Sequence, residues 1–242
     1  MRDGNTGEPN RGLERTRYQL RTSGVKGNET NPKVSGIHTR GYLPHVKREG
    51  VSYFVTYRLA DSLPKEVLFQ FEAKKAERLR RLADFVRRGQ KSADSEEEIL
   101  RDFQRKVERY LDQGAGACHL RRADVAGLVA DAMRHFHKTR YLLREWVVMP
   151  NHVHAVVWPM PNFVLSDIIK SWKQFTSRRA KEILGVSQGR FWQPETYDHW
   201  IRNDAEKARI SRYIRNNPVN AGLCAQPEDW QWSSAWSETS GT

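Results

Sequence analysis

Met149-Pro150-Asn151-His152-Val153-His154-Ala155-Val156-Val157-Trp158 is the stretch on which the fold turns. Pro150-Asn151 is a tight-turn pair, and the apolar residues on either side have strand character. Tyr141 to Met149 and His152 to Trp158 are therefore predicted as the two arms of a β-hairpin. Side chains alternate faces along a strand, so His152 and His154 share one face, roughly 7 Å apart along it. Such a pair either packs and pairs within the sheet or offers two imidazoles to one metal, and the histidines alone leave both open.

Outward from this hairpin the pattern is regular. Val51 to Leu59 (VSYFVTYRL) has the β-branched and aromatic content of a first strand. From Pro64 to about Leu111 the pattern turns helical and highly charged, with Glu66, Glu72, Glu77 and Glu96 to Glu98 among many Lys and Arg, and reads as a solvated helical insertion that extends a binding surface. Val125 to His137 has helical spacing. Ser166 is the expected N-cap of a helix over Asp167 to Leu184, with Ile168, Trp172, Phe175 and Ile183 on one side and Lys170, Lys173, Arg178 and Lys181 on another. Gly189 to Trp200 holds a fourth extended segment. Asp204 should cap a last helix that Asn217-Pro218 ends, because a residue before proline avoids helical geometry. The order strand, insertion, helix, strand, strand, helix, strand, helix predicts an α+β layer with helices on one sheet face and the other face free for substrate.

The chain has 242 residues and 38% hydrophobic composition, enough for a sizeable core. Forty-one Lys plus Arg against 29 Asp plus Glu give a formal charge of +12, which attracts polyanions and points to nucleic acid. The cations are grouped, as in Lys74, Lys75, Arg78, Arg80 and Arg81. Residues 1 to about 40, rich in Gly, Asn, Thr and Arg, read as a disordered basic arm. Two cysteines, Cys118 and Cys224, with no CxxC spacing, suggest neither disulfides nor a cysteine metal cluster. Met1 to Asn10 is polar and no run of about 18 apolar residues occurs, so no signal peptide, membrane span or membrane partner is expected, and the expected compartment is a reducing cytoplasm.

In the last helix Tyr213 and Asn217 are four residues apart and share a face with Ile210 and Ile214, so that face should dock. A docked Asn must satisfy its amide, at the helix end or on a metal. If this helix crosses the sheet by the hairpin, His152, His154 and Asn217 supply three ligands and Tyr213 stands beside the ion.

These motifs, MPNHVHAVVWP, FWQPETYDHWIR and YIRNNPVNAGL in that order, resemble those of the REP-associated tyrosine transposases, relatives of the single-tyrosine HUH transposases. The resemblance covers about residues 40 to 236, including RGYLPHV, YFVTYRLADSLP, SWKQFTSRRA and PEDWQWSSAW. It implies a ferredoxin-like antiparallel sheet backed by helices, with the catalytic domain over 41–236, a helical insertion at about 61–121 and a short tail at 237–242. It places the HUH histidines at His152 and His154, the nucleophile at Tyr213, and the third metal position at Asn217, where related transposases carry Gln. The insertion and the long basic arm depart from the compact members, and a monomer is expected rather than a dimer.

The implied activity is metal-dependent cleavage and strand transfer of single-stranded DNA at hairpins through a 5′-phosphotyrosine, with Mg²⁺ or Mn²⁺ as the ion, in a bacterial cytoplasm and on the nucleoid when DNA is bound. A tyrosine of pKa about 10 needs a cation or a base to attack at neutral pH, and the sequence identifies no base. Candidate DNA contacts are Lys170, Lys173, Arg178, Arg179, Lys181, Arg212 and Arg215. Trp172, Trp192, Trp230 and Trp232 are stacking platforms or, more simply, core. Asp198 and His199 are expected near the site. A non-catalytic DNA or RNA hairpin binder on the same fold is the competing reading, and a zinc hydrolase lacks HExxH.

Overall fold

Every residue of Tyr53–Arg58, and the first six of His152–Pro159, is buried, so the two strands at the heart of the protein have no wet face. The computed structural model describes residues 36–40, 43–47 and 50–237. In chain order the elements are β1 (Gly36–Arg40), β2 (Leu43–Lys47), β3 (Tyr53–Arg58), α1 (Lys65–Arg87), α2 (Glu96–Asp112), α3 (Ala123–Arg134), β4 (Tyr141–Val148), β5 (His152–Pro159), α4 (Leu165–Leu184), β6 (Tyr197–Trp200) and α5 (Asp204–Asn220). β1 and β2 form an antiparallel hairpin. The other four strands make one antiparallel sheet in the order β4-β5-β3-β6. With crossovers from β3 to β4 and from β5 to β6, this is the ferredoxin-like arrangement.

Alternation along β3 and β5 sorts the core into two layers. Tyr53, Val55 and Tyr57, with Val153, Ala155 and Val157, face α3 and α4. Trp172 of α4 is buried there and donates from Nε1 to the Tyr141 hydroxyl at 2.8 Å, which in turn donates to the Met133 carbonyl. On the opposite face Phe54, Val147 and Val156 pack against Ile210 and Ile214 of α5. The face expected to stay free for substrate is therefore partly roofed by the last helix.

Four local expectations change. The arm predicted over residues 1–40 lies outside the described residues up to 35, and its last five residues form β1. α4 begins at Leu165 with Val164 at the cap, so Ser166 sits inside the first turn. Phe175 and Ile183 are exposed; the docked stripe of α4 is Leu165, Ile168, Ile169, Trp172, Thr176 and Ala180. Asn203, not Asp204, caps α5 by accepting from the Glu206 amide, and the helix runs past Pro218 to Asn220. Pro218 costs the helix one hydrogen bond but falls in the last turn, where Ala221 N–H still reaches the Asn217 carbonyl.

The insertion is less solvated than its charge suggests. α2 opens with a reciprocal Ser95–Glu98 capping box and three acidic residues at its positive end. Ile99, Phe103, Val107 and Leu111 recur every four residues and are buried; the last three join Leu63 and the start of α1 in a small core of their own. An Arg202–Glu97 ion pair ties the start of α2 to the segment before α5. These contacts hold a second row of α2, Gln104, Glu108 and Asp112, against the sheet face that carries His152 and His154.

Candidate active site

The hairpin turn is anchored from below by the insertion. Asn151 is buried, and its Nδ2 donates to the Leu111 carbonyl at 3.1 Å and the Ala115 carbonyl at 2.9 Å. Its Oδ1 is thereby turned to His152 Nδ1, 2.7 Å away. An amide oxygen only accepts, so His152 carries its hydrogen on Nδ1 and presents a bare Nε2. The Nε2 atoms of His152 and His154 are 3.1 Å apart. His154 Nδ1 meets the Thr56 hydroxyl, its register partner on β3, at 2.8 Å. A hydroxyl both donates and accepts, so Thr56 serves either tautomer of His154.

Tyr213 stands over this pair. Its hydroxyl is 3.3 Å from His154 Nε2 and its ring meets the His154 ring edge-on at 5.2 Å, while Phe54 packs beside both, stacked on the His154 ring and edge-on to the Tyr213 ring. Asn217, one turn later, is buried with its Oδ1 unpartnered among the described residues. So is Asp112 Oδ1, 3.8 Å from His152 Nε2. Glu108 completes the ring, in polar contact with the Tyr213 hydroxyl and held by Gln104 Nε2 at 3.2 Å.

Burial dominates the electrostatics. It lowers the pKa of His152 to about 3 and that of His154 well below the ordinary histidine value, so both imidazoles are neutral at pH 7. It lifts Asp112 to about 6, eased by the Asn217 amide, and Glu108 to about 7. Tyr213 is pushed well above 10, by burial first and then by the negative fields of Glu108 and Asp112. The bare Nε2 of His152, the unpartnered Asn217 Oδ1 and the carboxylates of Asp112 and Glu108 leave the site short of positive charge.

That donor set suits a divalent cation. Neighbouring ligands on an ion with bonds of about 2.1 Å lie about 3.0–3.4 Å apart, close to the observed imidazole spacing. Among the described residues no three His, Cys, Asp or Glu side chains form a metal cluster by themselves. A cleft of about 80 Å³ opens beside Asp112 and His152, between Gly114, Arg121, Met149 and Leu223. It is smaller than the ~150 Å³ cavity that holds a benzene ring, and so has room for an ion with some of its waters but not for a base.

The structure brings together His152, His154, Tyr213 and Asn217 and leaves most expected DNA contacts elsewhere. α4 packs on the sheet face opposite the histidines. Lys173 is occupied: its Nζ donates to the carbonyls of Gln193, Pro194 and Glu195 and to Thr196 Oγ1. Lys181 reaches the Gly189 carbonyl, Arg179 pairs with Glu182, and Arg215 with Glu228. Lys170, Arg178 and Arg212 are exposed, and among the described residues they carry no ion pair; Arg212 adjoins Tyr213. His199 pairs with Glu206 at 3.0 Å and not with the imidazole pair. Trp172 and Trp192 are core.

Sequence reasoning missed Thr56, Asn151, Glu108 and Asp112. Asn151 stood inside the quoted motif. The carboxylates had a signal in their four-residue spacing beside the apolar stripe of α2, whereas Thr56 had none, because only strand register joins it to His154.

Residues 126–217, the span from α3 to Asn217, match the family model described as "Transposase IS200 like". The chain is 30% identical over 92 residues to a REP-associated tyrosine transposase of Escherichia coli (strain K12), a match covering 38% of this chain and 53% of that protein. A second relative, from Haemophilus influenzae, is 30% identical over 98 residues, 36% of this chain and 54% of its own length. The chain thus spans about half the length of the curated relatives it matches. A solved structure of a REP-associated tyrosine transposase bound to a REP hairpin aligns at 17% identity and a TM-score of 0.43 over 81% of this chain and 80% of that one.

Proposed function

We propose, from the match of residues 126–217 to the IS200-like transposase model and the 30% identity over 92 residues to a REP-associated tyrosine transposase, that this chain cleaves and rejoins single-stranded DNA at hairpins, with Tyr213 as the nucleophile. One observation carries the reading: the Tyr213 hydroxyl lies 3.3 Å from His154 Nε2 of the imidazole pair, Asp112 Oδ1 lies 3.8 Å from His152 Nε2, and that oxygen and Asn217 Oδ1, one turn after Tyr213, are buried and unpartnered among the described residues. Simple binding of nucleic acid requires no such arrangement.

His152, His154 and Asn217 hold the cation in this reading, and Asp112 adds negative charge beside it. Imidazoles tolerate many metals, but amide and carboxylate oxygens favour Mg²⁺ or Mn²⁺. When bound, the ion supplies positive charge to the phosphoryl oxygens as the phosphodiester is cleaved. Asn151 and Thr56 fix the imidazoles so that their Nε2 edges converge. Phe54 and Ile214 keep the phenol ring in place. Attack by the Tyr213 oxygen leaves a 3′-hydroxyl on one strand and a 5′-phosphotyrosine on the other, and the reverse reaction joins a new 3′-end without ATP. Of the candidate DNA contacts, Arg212 beside Tyr213 is the exposed cation nearest the nucleophile for a backbone phosphate, and Lys170 and Arg178 on α4 could serve DNA only on the far side of the sheet.

The test is a denaturing gel of wild type and Tyr213→Phe incubated with Mg²⁺ or Mn²⁺ and labelled single-stranded hairpins taken from DNA flanking the gene. A metal-dependent covalent adduct from wild type alone supports the reading. Tight hairpin binding with neither adduct nor cleavage in either metal makes the protein a binding module.

A further inference from the structure

The inserted helix α2 is not part of the 126–217 match, yet it reaches the nucleophile. A buried phenol can attack phosphorus only if some group takes its proton. His154 is poorly suited despite its 3.3 Å approach: it is fully buried, where an imidazolium is costly, and its Nε2 also faces His152 Nε2 at 3.1 Å. Asn217 offers no base. Two carboxylates remain: Asp112 is turned to His152 Nε2 at 3.8 Å, and Glu108, steadied by Gln104 at 3.2 Å, is the one in polar contact with the Tyr213 hydroxyl. The Ile99, Phe103, Val107 and Leu111 stripe fixes α2 and hence the reach of that carboxyl.

We infer that Glu108 is the proton acceptor for Tyr213, so that the insertion supplies a catalytic residue the compact part of the fold does not. The inference rests on the transposase reading above. In the forward step the Tyr213 O–H bond breaks, its proton passes to a Glu108 oxygen, the Tyr213 oxygen bonds phosphorus, and the 3′ oxygen leaves with the former P–O electron pair and takes a proton from water. In the joining step a 3′-hydroxyl attacks the phosphotyrosine and loses its proton to water, and Glu108 returns its proton to the departing phenolate. The groups facing Glu108 are Gln104 and Asp112 on α2, Tyr213 and Arg209 on α5, and Tyr197 on β6. Burial holds its carboxyl near pH 7 in the absence of ligands, where a base is half ionised and can both take and return a proton.

The experiment measures single-turnover adduct formation from pH 5.5 to 9 for the wild type, Glu108→Gln and Glu108→Asp, with hairpin affinity and Mn²⁺ affinity measured alongside. Positioned proton transfer is worth about 10²–10⁴-fold. Glu108→Gln should therefore slow adduct formation at pH 7 at least about 100-fold, lack the rise in rate with pH expected of wild type, and keep both affinities within about threefold, while Glu108→Asp recovers part of the rate. A Glu108→Gln rate equal to wild type, or a loss matched by the loss of hairpin or Mn²⁺ affinity, overturns the assignment and leaves the transposase reading intact. Absence of an adduct from wild type overturns both.

Discussion

Thr56→Val tests whether the sheet, through one hydroxyl, sets the chemistry of the histidine pair. Thr56 is 4% exposed and its Oγ1 lies 2.8 Å from His154 Nδ1. Valine keeps the shape and opens no cavity, so the change isolates the loss of one polar partner. A buried polar atom left unsatisfied costs about 1–3 kcal/mol. For a domain of this size that is a fall in Tm of about 2–4 °C for each kcal/mol, readable by thermal or urea unfolding. The effect on metal is separate: with both Nε2 edges committed to an ion, His154 must carry its hydrogen on Nδ1, and valine cannot accept it. Loss of such a supporting bond typically weakens metal binding about 10–100-fold. Mn²⁺ titration calorimetry should show that weakening for Thr56→Val, while Thr56→Ser, which keeps the hydroxyl, should stay near wild type. Unchanged Mn²⁺ affinity in Thr56→Val would refute the tautomer argument.

Asn151→Ala removes three buried hydrogen bonds at once, one to His152 and two to the insertion; at about 1 kcal/mol each, chemical denaturation should show a loss near 3 kcal/mol. Asp112 and Glu108 have folded pKa values raised by burial, so folding favours their protonated forms and their contribution to stability falls as pH rises from about 4 to about 7. The metal-free double variant Asp112→Asn, Glu108→Gln should accordingly gain stability relative to wild type between pH 5 and pH 8; an equal difference at both values contradicts the burial argument. Lys173→Met should destabilise the fold without altering the salt dependence of hairpin binding, because its ammonium is spent on the 193–196 segment. Arg212→Ala should weaken hairpin binding and reduce the salt slope by about one phosphate contact.

Much of the candidate site was legible because it is written in short-range periodicities. His152 and His154 share a face by the two-residue repeat of a strand, and Tyr213 and Asn217 share one by the four-residue repeat of a helix. The ferredoxin-like order came through the motif resemblance and stands in the β4-β5-β3-β6 sheet. The misread details were those where local rules compete: Ser166 is a good cap residue that the helix begins one residue before, and Pro218 falls late enough in α5 to be carried by it. Charge misled most. Lys173 and Glu108 have the composition of solvated surface residues, but a lysine stem can carry its ammonium to buried carbonyls, and an acidic residue can flank an apolar stripe.

The amino-acid sequence by itself determined which side chains are presented together along each element, since backbone geometry sets those spacings whatever surrounds them. Only the tertiary structure decided which elements face each other. The pairing of Thr56 with His154, the grip of Asn151 on the end of α2, and the closure of Glu108 and Asp112 over Tyr213 and His152 join residues 36 to 105 positions apart. Such contacts depend on strand register and on the docking of an inserted helix, and these are settled by burying apolar surface across the whole chain rather than by any local pattern.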